Sequence, residues 1–444
     1  MLSSILPLPP HESMIRHVCK ALSLYWPKNS SLLIASSLAS TKSVTVSGPL
    51  KLISITLPDW AFDHGVDGAL LVPAEACYRG DDWLQVDWWL AAFILLECWH
   101  ERTWELNYGP IHSYSSRLKG WDTRAWEYAW VNRIALFMRS WVARDKATTT
   151  NELFGPLQCA ELLMTHDVDA ICKTLPIRLK QCAFNLLNAG RHLARAEIRT
   201  AMRKLSCASR FLFSHDDWWS FDSLIEQEKR MGIQAHFNFY ADTRRKTLLR
   251  WLFDPGYDIR DKRIQELTQK IQELNGVVGL HPSFDSCASA EIIRQQRERL
   301  VKIANQPVTT CRQHWLRFSW KHTWAAQEDA GIEHDTTLMF NDRPGYRASA
   351  ALAWQPWNQN LQRMHCLTAQ PTVIMDSHLY DYQSFDTAKR KTAMSRWIEE
   401  TRAVNGQIAV LWHPHTLTED YSWTEGFQDL LNILRDTTPC PHSR

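Results

Sequence analysis

The alternation of apolar and polar positions divides the chain into two parts. After residue 156, short apolar runs typical of buried strands alternate with longer segments whose apolar residues recur at helical spacing. Strands that alternate with helices of this length predict parallel pairing and right-handed crossovers. Seven such strands predict an α/β fold, a distorted or incomplete (β/α) barrel. The predicted strands are residues 161–169, 233–240, 276–283, 307–315, 337–340, 371–379 and 407–415.

The first part of the chain has a different pattern. Its predicted elements are a strand at residues 51–57 and two Trp-rich helical segments at residues 87–104 and 123–144. Residues 143–156 are polar and end in Gly-Pro, which predicts a linker. We therefore expect a smaller, Trp-rich mixed α/β domain over residues 1–155, followed by the barrel domain over residues 156–444.

Tryptophan is unusually abundant. The chain has 22 Trp against 16 Gly, and half of the Trp residues lie in the first 155 positions, which favours dense core packing there over a sugar-binding surface. The charge is balanced, with 50 Lys and Arg against 48 Asp and Glu and a net charge of +2. A balanced chain of this kind argues against a nucleic-acid-binding surface.

Cysteine usage and the apolar runs bear on the cellular compartment. The 11 Cys are odd in number and form no CxxC pair, which favours reduced thiols over a disulfide framework. The first residues lack a basic region followed by an adequate apolar run, so no signal peptide is expected. The longest apolar run, residues 88–99, is too short to cross a bilayer. These features predict a cytoplasmic protein without a transmembrane segment.

Polar groups that can bind metals or transfer protons occur at the ends of several predicted strands. The carboxyl ends of parallel barrel strands meet at one face, where barrel enzymes carry out their chemistry. A single buried His is more often a core residue, but five strand ends of this kind favour a shared active site. The residues are His166, Asp167, Asp169, His281, Arg312, His314, Asp376, His378, His413 and His415.

The spacing of Asp167 and Asp169 has a chemical meaning. Residues two apart on a strand share a face, and adjacent carboxylates repel each other unless a cation or a proton lies between them. A divalent metal on one carboxylate would leave the other free to act as a base on water. Asp169 with His281 and His314 would form a site suited to Zn²⁺, and also to Co²⁺, Ni²⁺, Fe²⁺ or Mn²⁺. The alternative is an Asp pair in a solvated loop.

The segments MTHDVD, HFNFY, GLHPSFDS, RQHW, DRPGYR and LWHPH, in this order, resemble the polysaccharide deacetylases. The resemblance covers residues 160–435 and is closest to a bacterial branch with an extra N-terminal domain. It implies a distorted (β/α) barrel and a metal-dependent hydrolase that removes acetyl groups from sugars.

The resemblance also implies roles for individual residues. Asp167 matches the catalytic base and Asp169 a metal ligand of the family. The family's second motif has two ligand histidines four residues apart; here His281 takes the first place, but the second place is Asp285. Either Asp285 or His314 could supply the third ligand, and we favour His314 because it ends a strand.

The remaining site residues follow from the later motifs. Arg312 matches the arginine that orients the base, with Arg347 as a competitor for that role or as a substrate contact. His413 matches the general acid, and Leu411 matches the pocket wall before it. Asp376 could orient His413. Trp315 and Trp412, each beside a site histidine, are the predicted walls of a sugar site.

The predicted function is therefore a metal-dependent hydrolase that removes an N- or O-acyl group from a carbohydrate, in bacterial surface polysaccharide biosynthesis. Its substrate would be a nucleotide-linked or lipid-linked sugar or a polysaccharide precursor. The departure at Asp285 keeps a second hypothesis open, in which an inactive barrel serves as a carbohydrate-binding or assembly protein. Metal analysis distinguishes the two.

Overall fold

The computed structural model describes residues 5–31, 44–214, 218–383 and 385–435. Its central feature is an eight-stranded sheet in the order β10-β7-β6-β5-β4-β3-β12-β11, in which every neighbouring pair is parallel. The strands of this sheet are β3 Glu161–Val168, β4 His236–Phe239, β5 Val277–Leu280, β6 Thr310–Cys311, β7 His334–Asp335, β10 Thr368–Ala369, β11 Thr372–Met375 and β12 Gln407–Leu411. This open, curled parallel sheet confirms the mixed α/β class and fits an incomplete (β/α) barrel.

Two small antiparallel pairs lie outside the main sheet. They are β1 Leu52–Thr56 with β2 Ala69–Pro73, and β8 Trp357–Asn358 with β9 Arg363–Met364. The α-helices are α1 His11–Ala21, α2 Trp88–Leu96, α3 Trp99–Tyr108, α4 Trp130–Asp145, α5 Thr150–Phe154, α6 Leu175–Ala194, α7 Ile198–Phe213, α8 Phe221–Arg230, α9 Leu248–Phe253, α10 Lys262–Glu273, α11 Ala290–Ala304, α12 Thr323–Asp329, α13 Asp376–Tyr380, α14 Thr387–Ala403 and α15 Thr424–Arg435. No helix of the described residues is both long and apolar enough to span a bilayer.

The predicted strand at residues 337–340 is wrong. The strand of this region is β7, and the chain leaves the sheet directly after it, where the carboxylate of Asp335 accepts a hydrogen bond from the backbone N–H of Thr337 at 3.1 Å. Leu338, Met339 and Phe340 are nevertheless fully buried. The apolar run therefore reflects core packing in an irregular segment, which sequence periodicity does not distinguish from a buried strand.

The predicted linker at residues 143–156 contains the short helix α5. Thr149 and Glu152 form a capping box at its start, which satisfies the exposed N–H groups of the first turn. Phe154 at its end is fully buried. This segment is therefore packed onto the protein rather than extended.

The first part of the chain shares a hydrophobic core with the barrel. Helix α2 is apolar on every side, and all nine of its residues are buried, as expected for a helix surrounded by protein. The core that contains it extends from Met14 to Phe154 and includes barrel residues between Phe318 and Ala369. The described N-terminal residues therefore pack directly against the barrel. The division into two domains at residue 155 stays a prediction.

A buried carboxylate links the two parts of the chain. Glu97 accepts hydrogen bonds from Arg102 at 2.6 Å and Trp354 Nε1 at 2.9 Å, and it pairs with His17 Nε2 at 2.7 Å. Burial alone would raise the pKa of Glu97, but the His17 and Arg102 charges outweigh it and lower the pKa to about 2. Glu97 is therefore ionised at neutral pH and stabilises the folded chain.

We expect Glu97→Gln to lower the free energy of unfolding by about 3 kcal/mol at pH 7, because it leaves buried Arg102 without its counter-charge. The folded pKa lies below the unfolded value, so this contribution is complete above about pH 4.5 and is lost as the pH falls towards 2. Denaturant titrations across this range measure both effects. Glu12→Gln, in an exposed pair with Arg16, is the control and should change little; equal losses in the two variants would contradict the assignment.

Candidate active site

Three predicted metal ligands meet at the carboxyl ends of the strands. Asp169 directly follows β3, His281 follows β5, and His314 lies three residues after β6. Oδ1 of Asp169 is 3.3 Å from Nε2 of His281 and 3.5 Å from Nε2 of His314. The three ligand atoms all lie within 4.8 Å of one another. The structure thus brings together the carboxylate and the two imidazoles that were predicted from different strands.

The other ring nitrogens of the two histidines also face oxygen atoms. Nδ1 of His281 lies 2.7 Å from the backbone carbonyl of Arg312, so it carries the proton and donates it. Nδ1 of His314 lies 3.5 Å from the buried carboxylate of Asp254, within ion-pair distance but without a hydrogen bond. Both Nε2 atoms face Asp169. An imidazole that donates its other ring N–H to a carbonyl, as His281 does, is typical of metal ligands.

The chemistry of these donors fits a divalent cation. Oδ1 of Asp169 is enclosed but has no hydrogen-bond donor among the described residues. A buried carboxylate oxygen without a partner is costly unless a cation binds it. Ligand atoms about 2.1 Å from a tetrahedral zinc ion lie about 3.4 Å apart, which matches the two measured separations from Asp169. Carboxylate with two imidazoles suits Zn²⁺ and also other first-row divalent ions.

Asp285, the alternative third ligand, lies elsewhere. Its Oδ1 pairs with Arg244 at 2.9 Å and accepts a hydrogen bond from Ser283 at 2.7 Å. It does not join the group formed by Asp169, His281 and His314. The structure therefore groups His314, and not Asp285, with Asp169 and His281.

Asp167 lies beside this cluster and is held in its ionised form. Its Oδ1 accepts hydrogen bonds from Asn238 at 2.9 Å and from Arg312 at 3.2 Å, and its Oδ2 is 3.9 Å from Nε2 of His281. Burial alone would raise the pKa of Asp167, but the Arg312 guanidinium and the His281 ring outweigh it and lower the pKa. Asp167 is therefore a buried, ionised carboxylate beside the cluster.

Arg312 is itself fixed on all sides. It is fully buried, and it donates to Thr165 Oγ1 and Thr372 Oγ1 at 2.8 Å each and to the carbonyl of Thr336 at 3.1 Å. These partners belong to β3, β11 and the chain after β7. A guanidinium fixed from three parts of the sheet keeps its charge next to Asp167 without rotamer freedom.

His413 forms a second charged unit with Asp376. Nδ1 of His413 is 2.8 Å from Oδ1 of Asp376, whose Oδ2 accepts the backbone N–H of His413 at 2.8 Å. Burial would lower the pKa of His413, but Asp376 outweighs it and raises the pKa to about 10. Nε2 of His413 points back towards the cluster and lies 3.6 Å from Oδ2 of Asp169. His413 is thus a protonated imidazole beside the candidate metal site.

A cleft of about 440 Å³ opens beside the cluster. Trp315 lines it together with Asp169 and His314, and its indole N–H donates to the carbonyl of Phe253 at 3.2 Å. Trp315 and Leu316 both have positive φ, 57° and 49°, which is rare for such residues. Backbone strain of this kind occurs at functional sites, where the surrounding structure maintains it. Trp315 therefore forms part of the wall of this cleft.

The structure does not bring Trp412 or Arg347 to the cluster. Trp412 is fully buried and packs against Phe427, because it follows β12 with its side chain opposite to that of His413. Arg347 is buried and donates to Glu101, to Ser113 Oγ at 2.7 Å and to the Met339 carbonyl at 3.0 Å. These contacts join the barrel to helix α3, and they occupy the guanidinium that was predicted to reach substrate.

Two predicted strand-end histidines also have structural partners. Both ring nitrogens of His166 are 2.6 Å from protein acceptors, the Trp412 carbonyl and Glu228. His378 Nε2 lies 3.1 Å from the carbonyl of Phe340. His415, in contrast, lines the cleft and stacks on Trp218 with ring centroids 5.6 Å apart.

Sequence reasoning missed Asp254 and Lys180. Asp254 lies beside His314 just after the end of α9, but its Asp-Pro-Gly context indicates an ordinary turn. Lys180 on α6 lines the cleft, with Nζ 4.8 Å from the Trp315 ring. A Lys on a helix surface gives no sequence signal that it lines a cleft. Only the packing of the helices onto the sheet reveals the two residues.

No family model matches the chain, and no curated protein does either. Among solved structures, a proposed polysaccharide deacetylase from Mycobacterium smegmatis aligns at 15% identity over 63% of this chain and 85% of its own length, with a TM-score of 0.35. A mutant of BA3943, described as a CE4 family pseudoenzyme with restored enzymatic activity, aligns at 12% identity over 63% and 64%, with a TM-score of 0.31. A 4-alpha-glucanotransferase from Thermococcus litoralis aligns at 8% identity over 63% and 38%, with a TM-score of 0.35.

The chain spans less than two thirds of the length of the latter two proteins. At these TM-scores the superpositions do not by themselves assign a function. The sheet topology and the residue cluster define the class on their own: an α/β half-barrel protein with a candidate divalent-metal site at the carboxyl ends of its strands.

Proposed function

We propose that this protein is a metal-dependent hydrolase that removes an acyl group, such as acetyl, from the nitrogen or oxygen of a carbohydrate. The observation that carries the proposal is the meeting of Asp169, His281 and His314 beside two further charged units, Asp167 with Arg312 and His413 with Asp376. Acyl hydrolysis needs an electrophilic centre, a base for water and an acid for the leaving group. The three units supply these functions separately.

A divalent ion held by Asp169, His281 and His314 would polarise the acyl carbonyl and make water more acidic. The ionised Asp167 accepts a proton from the attacking water as the new C–O bond forms. Arg312 keeps this carboxylate charged, and Asn238 fixes its orientation. A second proton must reach the leaving nitrogen or oxygen, because this atom would otherwise depart as an anion.

His413 supplies that proton. Asp376 binds its Nδ1 and keeps the ring protonated, so Nε2–H faces the cluster and can donate. The C–N or C–O bond then breaks, and the products are a carboxylic acid and the free sugar amine or hydroxyl. Leu411, which the resemblance assigns to the pocket wall, lies in a small buried cluster with Leu316, Met339 and Met375.

Trp315 in the cleft is the proposed sugar contact. The biological setting that we propose is the synthesis of bacterial surface polysaccharide, with a polysaccharide precursor or a carrier-linked sugar as substrate. This setting rests on the resemblance of the strand-end motifs, whereas the reaction type rests on the residue cluster.

The test is metal-dependent release of acetate. The purified protein, stripped with a chelator and reloaded with Zn²⁺ or Co²⁺, is incubated with acetylated chito-oligosaccharides and with O-acetylated sugars. We expect acetate release only after reloading. If the protein takes up no divalent metal and releases no acetate, the second candidate, a carbohydrate-binding barrel without catalysis, replaces the hydrolase; the departure at Asp285 is the observation that favours it.

A further inference from the structure

Helices α6 and α9, which line the cleft, and α7, which packs against α6, expose an unusual number of apolar side chains. Among the described residues, 21 large hydrophobic side chains are exposed, and 14 of them lie in α6, α7 and α9. Leu187, Phe213 and Leu248 are 67%, 71% and 75% exposed. Isolated exposed apolar residues need no explanation, but such a concentration marks an interaction surface.

The exposed residues of the two long helices follow helical spacing. In α6 they include Leu175, Leu179, Leu186 and Leu193, and in α7 Ile198, Met202, Leu205 and Phe213. Positions three to four apart form one stripe along a helix. In most proteins such a stripe is buried against the core. Here the two helices present their stripes to solvent.

The helical hairpin formed by α6 and α7 is strongly basic. Residues 171–214 contain nine Lys and Arg and one Glu, whereas the whole chain is nearly balanced at 50 to 48, so the rest of the chain is acidic. The side chains of Arg195, Arg199 and Arg203 are exposed and form no hydrogen bond or ion pair with any described residue. The charge is thus concentrated where the apolar stripes are exposed.

Helix α9 extends this surface to the cleft itself. Leu248, Leu249, Trp251 and Leu252 are exposed there and follow the basic sequence Arg244, Arg245, Lys246. Nζ of Lys180 in α6 donates to the carbonyl of Leu252 at 3.3 Å, which ties the two helices together. Both helices line the cleft that contains Asp169 and Trp315.

We propose that α6, α7 and α9 form a docking surface for a membrane rich in anionic phospholipid, with the mouth of the cleft at the bilayer surface. Exposed leucines, an exposed Trp and clustered Arg and Lys are the features with which amphipathic helices bind such surfaces. A second copy of the chain fits less well, because two basic hairpins repel each other. Nucleic acid fits less well because leucines offer it no favourable contact.

Docking of this surface on a membrane would also specify the substrate class of the proposed function. A cleft that opens at the bilayer surface would receive a sugar that is itself carried by a membrane lipid. The lipid-linked substrate rests on the proposed function, but membrane binding does not, since it requires no turnover. Asp167→Asn should therefore bind vesicles as the unchanged protein does, so a failure of the proposed catalysis would be seen separately from a failure of docking.

Sedimentation with vesicles tests the surface. We expect the full chain to sediment with vesicles of equal parts phosphatidylcholine and phosphatidylglycerol, and not with phosphatidylcholine alone. Arg199→Glu with Arg203→Glu should weaken partitioning at least about 25-fold, because each lost positive charge weakens it about fivefold. Leu187→Ser with Leu193→Ser should weaken it about tenfold or more, because each buried leucine stabilises insertion.

Matched variants elsewhere on the surface control for nonspecific effects. Lys302→Glu with Lys321→Glu, and Leu84→Ser with Leu361→Ser, change exposed residues of the same types outside these helices and should leave partitioning within about twofold of the unchanged protein. Equal losses in the control variants, or no sedimentation with anionic vesicles, would overturn the proposal. Self-association without lipid, or binding to a DNA duplex, would also overturn the proposal if the substitutions in α6 and α7 abolished it while vesicle binding persisted.

Discussion

The Asp167→Asn variant should bind divalent metal with unchanged affinity and lose turnover by roughly 10³-fold, the contribution expected of a general base. Asn has nearly the same shape as Asp and can still accept hydrogen bonds from Arg312 and Asn238. It cannot accept a proton from water at neutral pH. The loss should therefore be in kcat, because the carbohydrate and metal contacts do not change.

Metal content and steady-state kinetics, measured on the same preparation, test this prediction. Asp258→Asn provides the control, since Asp258 is an exposed carboxylate paired with Arg260 and should be dispensable. A thermal unfolding measurement establishes that the buried Arg312 has not destabilised the variant. Full activity in metal-loaded Asp167→Asn would exclude Asp167 as the base.

The second large effect concerns the third metal ligand. We expect His314→Ala to weaken divalent metal binding by more than about 100-fold, because even residues that only hydrogen-bond to a metal ligand contribute about 10- to 100-fold. Asp285→Ala should leave the affinity unchanged, since its carboxylate pairs with Arg244. Asp254→Asn should lie between the two, with a loss of about tenfold.

Competition with a chromophoric chelator measures these affinities without any assay of turnover. The comparison of His314→Ala with Asp285→Ala decides between the two ligand sets that the sequence left open. If Asp285→Ala lost the metal and His314→Ala retained it, the geometry around Asp169 would not describe the metal-loaded state. His281→Ala, expected to lose the metal in either case, serves as the positive control.

Much of the sheet could be predicted because parallel strands leave a strong pattern. Six of the seven predicted strand segments contain a strand of the sheet, at nearly the expected positions for β3, β5, β11 and β12. Strands buried on both faces read as apolar runs, and the helices between them separate these runs clearly. The two-residue strands β7 and β10, which lie outside the predicted segments, are too short for such a pattern.

The sequence also indicated which residue types would meet. Polar residues after apolar strands are expected at one face of a parallel sheet, and Asp169, His281 and His314 do lie together there. The roles assigned to these residues stay predictions. Their proximity, however, follows from the sheet order, in which β3, β4, β5 and β6 are consecutive neighbours.

What the sequence by itself determined is the parallel α/β architecture and the set of strand ends that carry Asp, His and Arg. Tertiary structure decided which side chains face the cluster. The turn with positive φ at Trp315 and Leu316 follows His314, Arg347 is held by Glu101, and Trp412 points into the core. Such directions depend on where each strand ends and on partners distant in the chain. Local sequence patterns do not contain that information.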